Sequence, residues 1–185
     1  MTCAFCGGPC AYRYHMGEYA IWQCRICRTG RAHPLPDMAS LCAFYDGFLT
    51  HHTLERYPRI LTASRTLFAD FDATPDRPQR LLDIGGGGGF FCKAYEELGF
   101  GESTYIDLDP QSCAFAREQL GLTRVIHGDA LTLDIAEGAG FDIIYSRHLL
   151  EHLIDPTSFL TETLKLLAPS GRLVTQIPNG DSLEY

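Results

Sequence analysis

RLLDIGGGGGFFCKAYEELGF, residues Arg80 to Phe100, carries an apolar strand, Leu81 to Ile84, into five glycines and then into a helix beginning near Phe90. Glycines at such a junction let the backbone turn sharply and let a ligand lie against the main chain, close to the positive end of the helix that follows. Their spacing narrows what that ligand is. The dinucleotide fingerprint needs glycines at i, i+2 and i+5, and counting from Gly85 or Gly86 brings the last position to Phe90 or Phe91. A phosphate-cradling loop needs a Ser or Thr directly after its lysine, and Lys93 is followed by Ala94. The spacing present is acidic-x-G-x-G-x-G, made by Asp83, Gly85, Gly87 and Gly89.

Outward from this loop, short apolar strands alternate with amphipathic helices, the mark of a parallel α/β sheet. STYIDLDP (Ser103 to Pro110), RVIHGDAL (Arg124 to Leu131), FDIIYS (Phe141 to Ser146) and LAPSGRLVTQIPN (Leu167 to Asn179) follow in order. Singly, Asp107 also fits a helix N-cap before Pro110, and Asp129 a turn residue. Together and in this order, the segments resemble the class I S-adenosylmethionine-dependent methyltransferases over roughly residues 76 to 179. The resemblance implies an α/β fold with a Rossmann-like, doubly wound, mostly parallel sheet, and S-adenosylmethionine as cofactor. It implies cofactor contacts at Asp83, Gly85, Gly87, Gly89, Phe90 and Ser146. Asp107 is expected to hold the ribose hydroxyls, since a carboxylate accepts two donors at once, with Asp109 as an alternative. Asp129 is expected to accept from the adenine amino group, with Leu108 and Ala130 flanking the ring.

Further along stands RHLLEH, Arg147 to His152, which contains the H-x-x-E-H pattern of inverzincin zinc peptidases. A peptidase needs a long helix there and a further carboxylate ligand downstream, whereas Asp155-Pro156 breaks the run and starts a new helix. The resemblance assigns the segment instead to the border of the acceptor pocket. In the polyprenyl-benzoate O-methyltransferases, which it is similar to, E-x-x-E-H carries a divalent ion. Here His148 replaces the first Glu, so a possible ion at His148, Glu151 and His152 would be softer than Mg2+. The other reading has Glu151 and His152 hydrogen-bonding neighbouring loops. His148 or His152 is the candidate catalytic base, since imidazole titrates near neutral pH.

At the other end, Cys3 and Cys6 form one C-x2-C, Cys24 and Cys27 another, with seventeen residues between the pairs. Each pair can clasp a tetrahedral ion from one turn, and four thiolates around one Zn2+ close its shell, so the expected role is structural. Cys10 is an alternative ligand. A zinc ribbon ahead of this domain is also what the family resemblance implies, since many bacterial members, several acting on sugars or secondary metabolites, carry one.

The expected organisation is a zinc-ribbon-like segment (1–36), a helical lid or linker (37–75) and the cofactor domain (76–185), incomplete at its C-terminus. In the middle segment Leu54, Tyr57, Leu61 and Phe68 mark helical faces interrupted at Pro58, and Tyr45, His51, His52 and Tyr57 suit either a lid or packing between lobes. Family members continue past the fifth strand, so the edge near Leu173 to Ile177 is expected to be covered by missing chain, a second copy or a partner.

The net charge of −8 argues against nucleic acid, whose phosphates call for an excess of Lys and Arg. No apolar run is long enough to span a bilayer, and MTCAFCGG lacks the features of a signal peptide, which points to a cytoplasmic chain with its eight cysteines as thiols or metal ligands. The expected activity is methyl transfer to a small-molecule, sugar or lipid acceptor. The alternatives are a catalytically silent binding protein of the same fold, and a nucleic-acid modifier docking through Arg25, Arg28 and Arg31.

Overall fold

The computed structural model describes residues 1–37, 39–40, 53–71, 73, 76–77, 79–129, 135 and 140–179. The chain divides into two compact units, residues 1–50 with 179–185, and residues 51–178. Among the described residues, no helix is long and apolar enough to cross a membrane. Tyr45, His51 and His52 lie outside the described residues, as does Ala130.

The first unit is built on three short antiparallel strands, β1 (Cys10–Met16), β2 (Tyr19–Cys24) and β3 (Gly30–His33), in that order across the sheet. Among its described residues there is almost no apolar interior. Cys3 and Cys24 are buried, while Tyr12, Tyr14, Met16 and Ile26 are about half exposed or more. So small a sheet gains little from apolar burial.

The second unit opens with a 3-10 turn, Leu54–Arg56, that leads into α1 (Tyr57–Ala69). Pro58, expected to interrupt this helix, stands in its first turn, where its missing N–H forfeits no bond. Then follow β4 (Gln79–Ile84), α2 (Phe90–Glu97), β5 (Gly101–Asp107), α3 (Pro110–Glu118), β6 (Val125–His127), β7 (Phe141–Arg147), a 3-10 turn at Leu150–His152, α4 (Pro156–Leu164) and β8 (Leu167–Gln176). Every neighbouring pair in the five-stranded sheet is parallel, and the strand order is β6-β5-β4-β7-β8. This is the doubly wound α/β sheet expected from the sequence. The chain moves outward from β4 to one side and then returns to lay β7 on the other. That reversal leaves a crevice at the carboxyl ends of the strands, where such sheets bind ligands.

The strand alternation supplies both faces of the sheet. Leu81, Tyr105, Ile143 and Tyr145 point toward α1, α2 and α3; Leu82, Ile84, Ile106 and Ile144 point toward Phe159 of α4. Burial on both faces is why these strands read as continuous apolar runs. Phe68 of α1 is the aromatic hub of the first face, with ring centroids of Tyr95 at 5.0 Å, Phe71 and Phe100 at 6.1 Å, and Phe91 and Tyr145 at 6.4 Å. Among the described residues β8 forms one end of the sheet, and Ile177 just beyond it is half exposed.

Phe68→Ala should lower unfolding free energy by about 3–5 kcal/mol, the usual cost of an aromatic-sized hole in a close-packed interior. Urea denaturation followed by circular dichroism measures it. A loss under about 1 kcal/mol would show that α1 is not part of the sheet's core.

Candidate active site

The loop after β4 is shaped around one carboxylate. Asp83 is fully buried, and its Oδ1 meets no hydrogen-bond partner among the described residues. A side chain at Gly86 would put its Cβ 2.2 Å from Asp83 Oδ2, so only glycine fits above it. Gly87, at φ +60°, turns its N–H toward β5 and donates to Asp107 Oδ2 at 3.2 Å. The Tyr105 hydroxyl bonds the Gly87 carbonyl and lies 3.1 Å from the same Asp107 oxygen.

Asp107 and Asp109 divide their work. Asp109 caps α3, accepting from Gln111 N–H at 3.1 Å and from Ser112 N–H and hydroxyl at 2.7 and 2.5 Å. Asp107, at the end of β5, is left to face the crevice, with Asp109 N–H donating to its Oδ1 at 2.9 Å. Burial, reinforced by the charge of Asp107, pushes the Asp83 carboxyl up to about 7. Burial also raises Asp107, helped by the charge of Asp109 and opposed by its hydrogen bonds from Asp109, Tyr105 and Gly87. Two carboxylates set this close favour a ligand that brings positive charge.

A cleft enclosing about 410 Å3, open mouth included, lies beside this loop. Ile84, Ile106, Leu149, Leu153 and Phe159 make its walls apolar, and Asp107 and Asp129 stand as its carboxylates. Leu108 at the rim is 64% exposed. Its carbonyl lies 3.0 Å from His127 Nε2, which ties that loop to β6. Ser146, paired in register with Ile84, is buried with its Oγ lacking a partner among the described residues. Phe90 turns its ring into the core, between Tyr57 at 6.2 Å and Phe115 at 5.5 Å, so its backbone is what it can offer a ligand.

RHLLEH begins at the last residue of β7. It is not one continuous helix: His148 adopts φ +52° and the 3-10 turn begins only at Leu150. His148 Nδ1 lies 3.2 Å from Glu151 Oε1, while His152 Nε2 is 3.9 Å from that oxygen. Burial lowers the His152 imidazole, Glu151 raising it and His148 adding to the lowering. The ion considered for His148, Glu151 and His152 finds no gathered ligand set. Among the described residues only four cysteines bring their ligand atoms within 4.8 Å of one another. The turn holds the two histidines apart, with the carboxylate between them.

Those four are Cys3, Cys6, Cys24 and Cys27 of the first unit. Cys3 and Cys27 sulfurs are 3.5 Å apart, as are those of Cys6 and Cys24. Sulfurs sharing one tetrahedral zinc stand ~3.8 Å apart for Zn–S bonds of ~2.3 Å, so the spacing fits an ion and is far too long for a disulfide. Ile26 N–H donates to Cys24 Sγ at 3.3 Å. Thr29, through its hydroxyl and its N–H, brings the Cys27 thiol down to about 6, which favours the thiolate that binds metal. Cys10 pairs with Cys24 along β1 and stands outside the cluster.

The sequence pattern did not single out Gly86, Tyr105, Leu149 or Leu153. Gly86 was one of two unassigned glycines in the alternating motif, and its requirement depends on where the Asp83 side chain turns. Leu149 sits inside RHLLEH, but the contact its methyls make with Gly85, 3.1 Å from where a Cβ would stand, comes from the fold alone.

Residues 82–175 match the model of a family described as methyltransferase domain. The ubiquinone biosynthesis O-methyltransferase of Caulobacter sp. (strain K31) is 37% identical over 111 residues, covering 57% of this chain and 43% of that protein. The ribosomal protein L11 methyltransferase of Syntrophotalea carbinolica is 34% identical over 108 residues, 57% of this chain and 34% of its own. The chain spans about half or less of the length of these curated relatives. A solved SAM-dependent methyltransferase from Archaeoglobus fulgidus shares the fold with a TM-score of 0.58 and 24% identity, over 80% of this chain and 62% of that one.

The raised Asp83 carboxyl makes stability depend on pH with a definite sign. Its ordinary value is 3.8, so between about pH 4 and 7 the folded chain keeps a proton that the unfolded chain has released. This contribution is fully present below the unfolded value, falls as pH rises, and is gone above the folded value. From pH 5 to 8 the wild type should lose on the order of 2–3 kcal/mol more stability than Asp83→Asn. Denaturant midpoints at the two pH values measure this, and equal losses in the two proteins would contradict it.

Proposed function

The chain belongs to the methyltransferase-domain family, and on that footing we propose that it binds S-adenosylmethionine in the cleft beside Gly87 and methylates a small-molecule acceptor. The observation that carries the reading is the group formed by Asp107, Gly87 and Tyr105 at the end of β5, next to the buried Asp83. The cleft suits an adenosyl sulfonium on three counts. Gly85 lines it with backbone that carries no side chain, its carboxylates favour a cation, and its apolar walls suit a flat ring.

We assign the ribose hydroxyls to Asp107, the adenine edge to Asp129 and one ring face to Leu108. Gly85, Gly87 and Gly89 let the chain pass close to the cofactor, and Asp83 shapes the loop from beneath. Ser146 lies at the crevice between β4 and β7, where its buried hydroxyl suits the cofactor's polar end. Bound there, the cofactor supplies a methyl carbon that the acceptor's lone pair takes while the carbon–sulfur pair returns to sulfur, leaving a neutral thioether. The protein's part is to orient the two and exclude water. RHLLEH borders the acceptor side, and the names of the first relatives favour oxygen as the methylated atom.

The four cysteines hold a structural zinc ion on this reading, four thiolates leaving no open position for a reactant. The ion takes the place of the apolar core that the described residues of the first unit lack.

Calorimetric titration with S-adenosylhomocysteine tests the cofactor site. Asp107→Ala should weaken binding by about 1.5–3 kcal/mol, the worth of charge-assisted hydrogen bonds, and unchanged affinity would place the ribose elsewhere. Metal analysis of the purified chain should find one zinc per molecule, and a folded, metal-free sample would remove the structural ion.

A further inference from the structure

His148 occupies a left-handed backbone conformation, φ +52°, that is uncommon outside glycine. The surrounding contacts hold it there from both sides. Its N–H donates to Gln176 O of β8 at 2.9 Å, and the next residue, Leu149, lies against Gly85 of the cofactor loop. The left-handed turn therefore ends β7 abruptly and sets the imidazole one residue from the wall of the cleft.

Glu151 then decides which nitrogen of that ring carries hydrogen. An ionised carboxylate only accepts, so the nitrogen 3.2 Å from Glu151 Oε1, which is Nδ1, must be the donor. In a neutral ring the other nitrogen, Nε2, is then a bare acceptor. His152 stands differently. Its Nε2 is 3.9 Å from the same oxygen, beyond hydrogen-bond reach, so Glu151 does not orient it. The Arg147 guanidinium, on the preceding residue, lies over the Phe91 ring, 5.5 Å from its centroid.

We propose that Glu151 is a positioning residue: it fixes His148 as the Nδ1–H tautomer, so that Nε2 of His148, and not His152, takes the proton of the acceptor hydroxyl. This rests on the methyl-transfer reading above. The balance is simple. The acceptor's O–H bond breaks, its proton forms a bond to Nε2, and the oxygen keeps the electron pair that forms the new bond to the methyl carbon. His148 becomes an imidazolium whose charge Glu151 stabilises, and it returns the proton to water on product release.

The test is the ring tautomer, read by long-range 1H–15N correlation on histidine-labelled protein at a pH where the imidazoles are neutral, with His148→Gln assigning the signals. His148 should show hydrogen on Nδ1 in the wild type and move to the Nε2–H form, which free histidine prefers, in Glu151→Ala. The His152 signals should keep their tautomer. Hydrogen on Nε2 of His148 in the wild type overturns the proposal without any variant, and so does an Nδ1–H ring that persists in Glu151→Ala. Titrating the same samples with S-adenosylhomocysteine keeps the two readings separate. Absent binding removes the cofactor assignment, whereas intact binding with the wrong tautomer removes only the role of Glu151.

Discussion

A carboxylate sealed under a loop without side chains is the constraint on which the rest of this molecule depends. Asp83 cannot reach water, and its Oδ1 has no partner among the described residues. A Cβ at Gly86 would collide with it. The chain must therefore cross above β4 as bare backbone, and that backbone swings the Gly87 N–H onto Asp107 of the neighbouring strand. Two acids drawn together in this way disfavour each other's charge, which is a poor arrangement for stability and a suitable one for a cationic ligand. The collision with Asp83 accounts for Gly86, while Gly85, Gly87 and Gly89 serve the turns at positive φ.

The fold was largely legible before any coordinates. Leu81 to Ile84 reads as a doubly buried strand because both of its faces are covered, by α1–α3 on one side and α4 on the other. Pro58 misled, since proline both breaks helices and begins them, and only the course of the preceding chain separates the two cases. Five glycines in a row also carry little register, so the requirement at Gly86 emerged only once the Asp83 side chain had a direction.

The site was legible unevenly for a related reason. Asp107 and Asp109 are two residues apart and chemically identical, and only the hydrogen bonds to Gln111 and Ser112 show that Asp109 serves as the cap. For Phe90, sequence position alone pointed to the cofactor, while packing against Tyr57 and Phe115 takes its ring into the core. H-x-x-E-H places its two imidazoles on one face only where it lies on a helix. The turn at His148 separates the imidazoles and leaves the carboxylate bonded to the nearer one. The cysteine cluster was the simplest to read, since two C-x2-C pairs set most of the geometry themselves.

A structure of the chain crystallised with S-adenosylhomocysteine tests the central claim most directly. The adenosyl group is expected in the cleft lined by Gly85 and Asp107, with both ribose hydroxyls on the Asp107 carboxylate and the ring against Leu108. An empty cleft in crystals whose protein binds the compound in solution, or an adenosyl group lodged anywhere else, would contradict it.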